Sequence, residues 1–422
     1  MKPPLIQLPK TSLAVRYETA LCDRHGRIER ILQRGENMIT DWGMDQMAAA
    51  NLGVLTSGNI AYLHLGSTTE TLKRVLPGGN SITINAADPA AVTVVAVTNF
   101  FEAGDVGRTL KIAAWAELLV TGYTDAQNIT CKSRASLWPP GFSPPGSGPY
   151  TDAAIHYTSV STMASEFTRF NTYDTSSANN NAELNDSANS RVIHQRIYLS
   201  AVVTGTAWTV NELGWGPNTT NCFGKANLGS PDVVAVGKRY RVQLQVFHAY
   251  TPIDLTGVVL DWGATVGSYT CAIRQERIGF DEPISLGGAP ANISANFLRP
   301  ATPAISGVGW WTAAFTLSSI AWCGDAGFTT LSGRTGRVES STVIFDSAYT
   351  SGDFRRTRTA RWPDTVTITA AVGLYAGLNH TGTGAAHWPS LTIKPASGTI
   401  TKAGGYRIDI LFSVVWQRTL VN

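Results

Sequence analysis

The chain has 422 residues, of which 43% are hydrophobic and 15% charged, with a net charge of +3. The length calls for two or three domains with sizeable cores, and the hydrophobic share excludes global disorder. A charged share well below the usual ~25% suits a surface covered by neighbours, or a β protein rich in Thr, Ser, Asn and Gly. The near-neutral balance indicates neither a nucleic-acid binder nor a membrane-surface protein.

The opening, MKPPLIQLPK, lacks the apolar core of a signal peptide. No run approaches the ~18 apolar residues of a membrane span. A soluble protein made in the cytoplasm is the expectation. The segment NMITDWGMDQMAAANLG (37–53) reads as the one clear helix. Thr40 or Asp41 serves as N-cap, Met38, Trp42 and Met47 as apolar contacts, and Gly53 as stop. A second short helix is a candidate over 161–170. Elsewhere period-two alternation dominates, broken by Gly and Pro. The Pro-rich stretch 137–150 cannot sustain a ladder and reads as a loop, as does the polar stretch 175–190.

Strands are expected over 191–203, 239–250, 365–375 and 406–416. In 239–250 the apolar face is Tyr240, Val242, Leu244, Val246 and Phe247, with Arg239, Arg241, Gln243 and Gln245 opposite. The main domain break falls near 252–268. The fold class expected is all-β and multi-domain, with antiparallel β-sandwich or jelly-roll-like domains and one short N-terminal helix. Residues 1–260 would form an N-terminal domain and 261–422 a C-terminal one. Five cysteines (Cys22, Cys131, Cys222, Cys271 and Cys323) occur without a C-x-x-C pair, so they read as buried small hydrophobes.

Three motifs carry a family resemblance. The first is the 37–50 helix followed by NIAYLHLGSTTE (59–70). The second is TNFFEAGDVGRTLKIAAWAELLVTGYTDAQNITCKSRASL (98–137), where Phe101, Asp105, Val106, Gly107, Arg108 and Leu110 form the signature. The third is VNELGWG (210–216) with CFGKANLGSPDVVAVGKRYRVQLQV (222–246). Together, over residues 37–250, they resemble structural proteins of tailed-bacteriophage virions, namely tail, baseplate and appendage proteins. The second motif is similar to a small β module recurrent in such proteins, which implies an inserted module over about 92–137. The family usually has arginine where this chain has Lys225, so Glu212 could meet a point charge there but not a bidentate guanidinium. Glu212, Gly214 and Lys225 are expected to fix a structural corner at a strand end, since a buried carboxylate persists only when paired.

Catalytic and metal chemistry find little footing. Glycoside hydrolysis needs two carboxylates roughly 5–10 Å apart. The candidates are Glu212 with Asp261 or Asp254, or Asp281 with Glu282, and none sits in a distinctive motif. His194, His248, His380 and His387 form no metal-binding signature, and GRTGRVES (333–340) lacks the lysine of a phosphate loop. No cofactor and no metal are expected. FRRTRTARW (354–362) places Arg356 and Arg358 on one face, read as a charged edge strand or a patch for an acidic neighbour rather than a nucleic-acid contact. Trp310, Trp311 and Trp388 are candidates for an exposed recognition or interface edge.

The resulting expectation is a non-enzymatic virion component assembling as a homo-oligomer with other virion proteins in the tail, baseplate or collar region. The alternative is a receptor-binding fibre, spike or head-fibre protein that recognises a host-surface glycan or protein. A polysaccharide hydrolase comes third. Nucleic acid and membrane insertion are not expected.

Overall fold

A computed structural model describes residues 3–7, 11–50, 57–85, 91–112, 117–134, 146–176, 182–186, 191–249, 254–274, 283–285, 290–292, 319–323, 337–340, 343–346, 348–371, 373–379 and 387–418. The fold is all-β and almost wholly antiparallel. Among the described residues the single α-helix is Asp41–Ala50. No helix there is long and apolar enough to cross a membrane.

The largest sheet has 13 strands. Its main path runs Glu166–Phe170, Tyr62–Gly66, Trp208–Gly216, Gly224–Val234, Ile28–Ile39, Thr11–Cys22, Arg239–Ala249, Arg191–Leu199 and Ala182–Asp186. The strand Ile408–Arg418 joins it by parallel pairing to Leu5–Gln7 and to the start of Thr11–Cys22. Arg355–Trp362 pairs antiparallel with Ile408–Arg418, and Val343–Asp346 pairs with Arg355–Trp362. Alternation explains the layering. In Arg239–Ala249, Tyr240, Val242, Leu244 and Val246 are fully buried, and each such side chain contributes about 1.5–3 kcal/mol.

A six-stranded sheet, running Asp254–Asp261, Ser268–Arg274, His387–Pro395, Gly373–Asn379, Ser319–Cys323 and Arg337–Ser340, packs on the same core. Leu13 and Trp215 share that core with Leu260, Ile273, Trp362 and Phe412. The division expected at residue 260 therefore crosses one continuous core. The stretch 252–268 contributes a hairpin rather than a linker, with Leu255 opposite Ile273 and Asp261 opposite Ser268.

A second unit has its own core, built on Val94, Leu110, Ile112, Val120, Ile129 and Ile155. Its seven strands run in the order Lys73–Val75, Ala153–His156, Thr109–Ile112, Leu118–Asp125, Asn128–Ser133, Val92–Ala96 and Ile82–Asn85. The order closes on itself, because Ile82 N donates to Tyr150 O at 2.9 Å and Ile84 N to Ser147 O at 2.8 Å. Residues 147–156 thus bridge both ends of the order and make a small barrel. The barrel takes in residues 73–156, wider than the 92–137 expected, because flanking strands are needed to close it.

Three local expectations are corrected. Residues 166–170 form an edge strand against Tyr62–Gly66 rather than a helix. Ala182–Asp186, expected in a loop, pairs with Arg191–Leu199, so a polar sequence still takes a sheet edge when its partner strand is strong. Met38 belongs to a strand, and the helix begins only after Thr40. Thr40 Oγ1 accepts the Gly43 N–H at 3.0 Å and donates to Cys222 O at 2.7 Å. Gly53 and most of the Pro-rich stretch lie outside the described residues.

Candidate functional site

The barrel is inserted between two adjacent strands of the body, and its seam against the body is ionic. The last strand ends in Arg418, whose side chain is fully buried. Its Nη1 donates to Ile39 O at 2.6 Å, its Nε lies 3.1 and 3.0 Å from the two Glu117 oxygens, and Nη2 reaches Glu117 Oε2 at 2.8 Å. Nη2 also bonds Asp41 Oδ1, at the first turn of the helix. Arg134, from the barrel, takes the other side of Asp41, with Nη2 3.0 Å from Oδ2. Both guanidiniums stand over the Phe354 ring, at 5.1 and 5.4 Å from its centroid. Lys132 adds a pair to Asp353 at 3.0 Å.

Two guanidiniums and two carboxylates cancel in this buried cluster, as a low-dielectric site requires. Burial alone would raise the Asp41 pKa, but Arg418 and Arg134 outweigh it and hold the carboxyl far below its usual range. Burial likewise opposes the Arg418 charge, and Glu117 and Asp41 more than restore it. Asp41, expected as a possible cap, is instead the shared anion of the seam.

The barrel signature proves to be a second ionic knot. Asp105 is fully buried and accepts from Arg74, from Arg108 Nη1 at 3.1 Å and from Glu102 N at 2.9 Å. Gly107 sits at φ +87°, where a side chain is strained. Arg108 stacks over Tyr157 at 3.7 Å, and Phe101 fills the barrel core.

Glu212 is not at a corner. It lies mid-strand in Trp208–Gly216, opposite Asn227 on one neighbour and Gly66 on the other. Its side chain and that of Lys225 are wholly buried, with Oε1 2.8 Å from Lys225 Nζ and Oε2 accepting Ala164 N–H at 2.9 Å. Lys225 also reaches Glu70 and the Thr162 carbonyl. Burial raises the Glu212 pKa and Lys225 only partly opposes this. Gly214 is required for contact: a Cβ there would stand 2.6 Å from Cys222 Sγ and Met163 Sδ. This trio holds the 161–166 segment against the sheet, and Glu212 has no face open to a substrate.

Two open recesses lie among the described residues. A cleft of about 460 Å³ lies between the body sheet and the barrel edge, lined by Glu36, Thr71, Lys73, His156, Lys225 and Asn227 among others. A second, of about 310 Å³, lies over Gly35 between Arg16, Glu18, Arg34, Glu36, Gln243 and Gln245. Arg34 Nε donates to Glu18 at 2.7 Å, and both glutamine amides donate to Gln195 Oε1, at 3.0 and 2.8 Å. Hydrogen bonds thus tie the two glutamines to Gln195 and Arg34 to Glu18.

No family model and no curated protein matches the chain.

Among the described residues no group of three or more His, Cys, Asp or Glu could hold a metal. Trp310, Trp311, His380, Asp281 and Glu282 lie outside the described residues. Trp388 sits in a strand opposite Leu378. The arginine run is not an edge strand. Arg355–Trp362 lies between two others, with Arg358 opposite Asp346 and Phe412, Arg356 on the face of buried Ala360 and Trp362, and Arg361 gripping Asp409 at 2.9 Å through two nitrogens. Cys22, Cys131, Cys222 and Cys271 are buried free thiols. Sequence reasoning missed the seam. Its one local signal is an arginine that closes the strongly apolar run ILFSVVWQR.

Proposed function

We propose that the chain is a non-enzymatic structural component of a tailed-phage virion, assembling as a symmetric homo-oligomer with other virion proteins. The observation that carries this reading is where the buried charges go. Asp41, Glu117, Arg134 and Arg418 fasten the barrel to the body, Asp105 ties the barrel's own turn, and Glu212 with Lys225 clamps a covering segment. Charge used this way makes a rigid two-part block, the requirement of a part whose role is geometric. The resemblance of residues 37–250 to phage tail and baseplate proteins supports the same reading.

Light scattering coupled to size exclusion tests it, together with sedimentation of lysates from producing cells. A discrete ring or trimer, or co-sedimentation with a large particle, is the expected result. A strict monomer at high concentration that travels with no assembly would overturn the reading.

The two recesses favour one alternative, recognition of a host-surface glycan. A lining of amides, carboxylates and guanidiniums suits the hydroxyls of a neutral saccharide. Binding to a glycan array, lost on Glu36→Ala, would move the assignment to that role.

A further inference from the structure

One end of the body gathers three connections: the turn at 23–27, the turn at 235–238 and the loop at 200–207. They touch one another. Lys238 pairs with Glu29, Arg239 Nε donates to Ser200 O at 2.7 Å, and Val203 N donates to Lys238 O at 2.8 Å. Large apolar side chains are left in solvent here. Ile28 is 48% exposed, Val233 56% and Val236 52%, with Ile31 and Val202 close to 40%. Beside them Phe167, also exposed, meets Trp208 edge-on at 5.9 Å, and Trp208 lies opposite Val234. Six of the exposed large hydrophobic residues thus collect at one end, whereas singly scattered ones would mean nothing.

The same end is basic. Arg24, Arg27 and Arg30 are exposed, and none takes part in an ion pair among the described residues. Asp23 uses its carboxylate to close the turn, accepting from His25 N at 2.8 Å and Arg27 N at 2.9 Å. Glu29 is occupied by Lys238. Arg24, Arg27 and Arg30 thus lie among isoleucines and valines with Asp23, which feels the Arg27 charge, as the carboxylate left to offset them, and the surface keeps an excess of positive charge.

We infer that this end docks a different protein chain, one that presents carboxylates around an apolar patch; the inference rests on the assembly reading above. Charge selects the occupant. A second copy placed about a two-fold axis would set three guanidiniums against three more. A polyanion alone would satisfy the arginines and leave the aliphatic side chains wet. An acidic, apolar-centred partner answers both, with the arginines steering encounter and the aliphatic groups setting residence.

The test uses the purified full chain and a synthetic peptide of alternating glutamate and leucine, followed by fluorescence anisotropy. A second peptide, alternating lysine and leucine, serves as control. Wild-type chain should bind the acidic peptide alone, with affinity falling about tenfold between low and physiological salt. The variant R24E/R27E/R30E should lose that binding with an unchanged melting temperature, since all three side chains are exposed. I28S/V233S should weaken binding at any salt. Equal binding by the triple variant, or binding of both peptides alike, overturns the inference. So does an oligomer of the chain alone that the triple variant dissolves. The two readings separate cleanly: charge-dependent peptide binding by a chain that joins no assembly keeps the surface and removes the virion role. Assembly that survives the triple variant does the reverse.

Discussion

Replacing Asp41 by asparagine tests the seam most directly. Asp41 accepts from both Arg134 and Arg418, and the four-charge cluster is neutral only with its carboxylate present. In Asp41→Asn the Oδ1 can keep one acceptor contact, but the amide nitrogen would face a guanidinium, and the cluster becomes +1. Breaking one partner of a buried ion pair costs about 3–5 kcal/mol, a large share of the ~5–15 kcal/mol that holds a typical protein together. Urea unfolding followed by tryptophan fluorescence should show that loss. Limited proteolysis should show earlier cleavage around the barrel. The sign with pH follows from the depressed Asp41 pKa: its contribution is complete above the ordinary carboxylate range near pH 4, and it drains away as pH falls below that. Wild-type stability should therefore drop on acidification more steeply than that of Asp41→Asn. Pairing the change with Arg134→Met restores neutrality, and the double variant should be less damaged than the two single losses summed. A loss under about 1 kcal/mol for Asp41→Asn, with an unchanged acid limb, would refute the seam as the fastening of the barrel.

Other outcomes follow from the same packing. Glu212→Gln should destabilise by about 1–3 kcal/mol, read from chemical denaturation, because Lys225 keeps only Glu70 as an ionic partner. Burial raises the Glu212 pKa, so the native state holds this proton more tightly than the unfolded chain does; wild-type stability from this group falls as pH rises from the ordinary glutamate range through the raised value, and the glutamine variant should lack that slope. Gly214→Ala drives a methyl into Cys222 and Met163 and should cost about 1–3 kcal/mol in the same assay. Burial pushes the Cys222 thiol up to about 12 and the Cys271 thiol up to about 11, so a thiol reagent at pH 8, mapped by peptide mass, should label neither until urea unfolds the chain.

Alternation told most about the fold. The strand 239–249 buries Tyr240, Val242, Leu244 and Val246 at the alternate positions its sequence assigns, but Phe247, expected with them, falls out of step and is buried on the opposite face, as is Arg241, which bonds Asp174. The edges were less legible. Residues 182–186 are polar and weak in strand preference but are held by the next strand, 191–199, while 166–170 is short and is held by residues 62–66, a hundred positions away, so local reading made them loop and helix. The seam was hidden for a related reason. Arg418 lies 301 positions from Glu117 and 377 from Asp41, and no spacing rule reaches across such gaps. Glu212 stood out as a carboxylate among strand residues, but its mid-strand place required the register with Gly66 and Asn227.

The way the barrel is spliced in has a consequence for how the protein could vary. It leaves the body after Tyr62–Gly66 and returns at Glu166–Phe170, strands that are antiparallel partners with Gly66 opposite Glu166. Ser67 N bonds Ser165 O at 2.9 Å, so the two crossing points stand side by side, as close as the arms of a hairpin. The barrel is therefore a cassette: another unit with adjacent termini, or a short turn, can take its place without moving a body strand. The exchange has one condition. Arg418 and Asp41 belong to the body and would lose Glu117 and Arg134 with the cassette, so a successful replacement must bring its own carboxylate and guanidinium to that spot, or swap the body's pair for apolar residues. Lineages that trade this cassette should show those positions changing together with it.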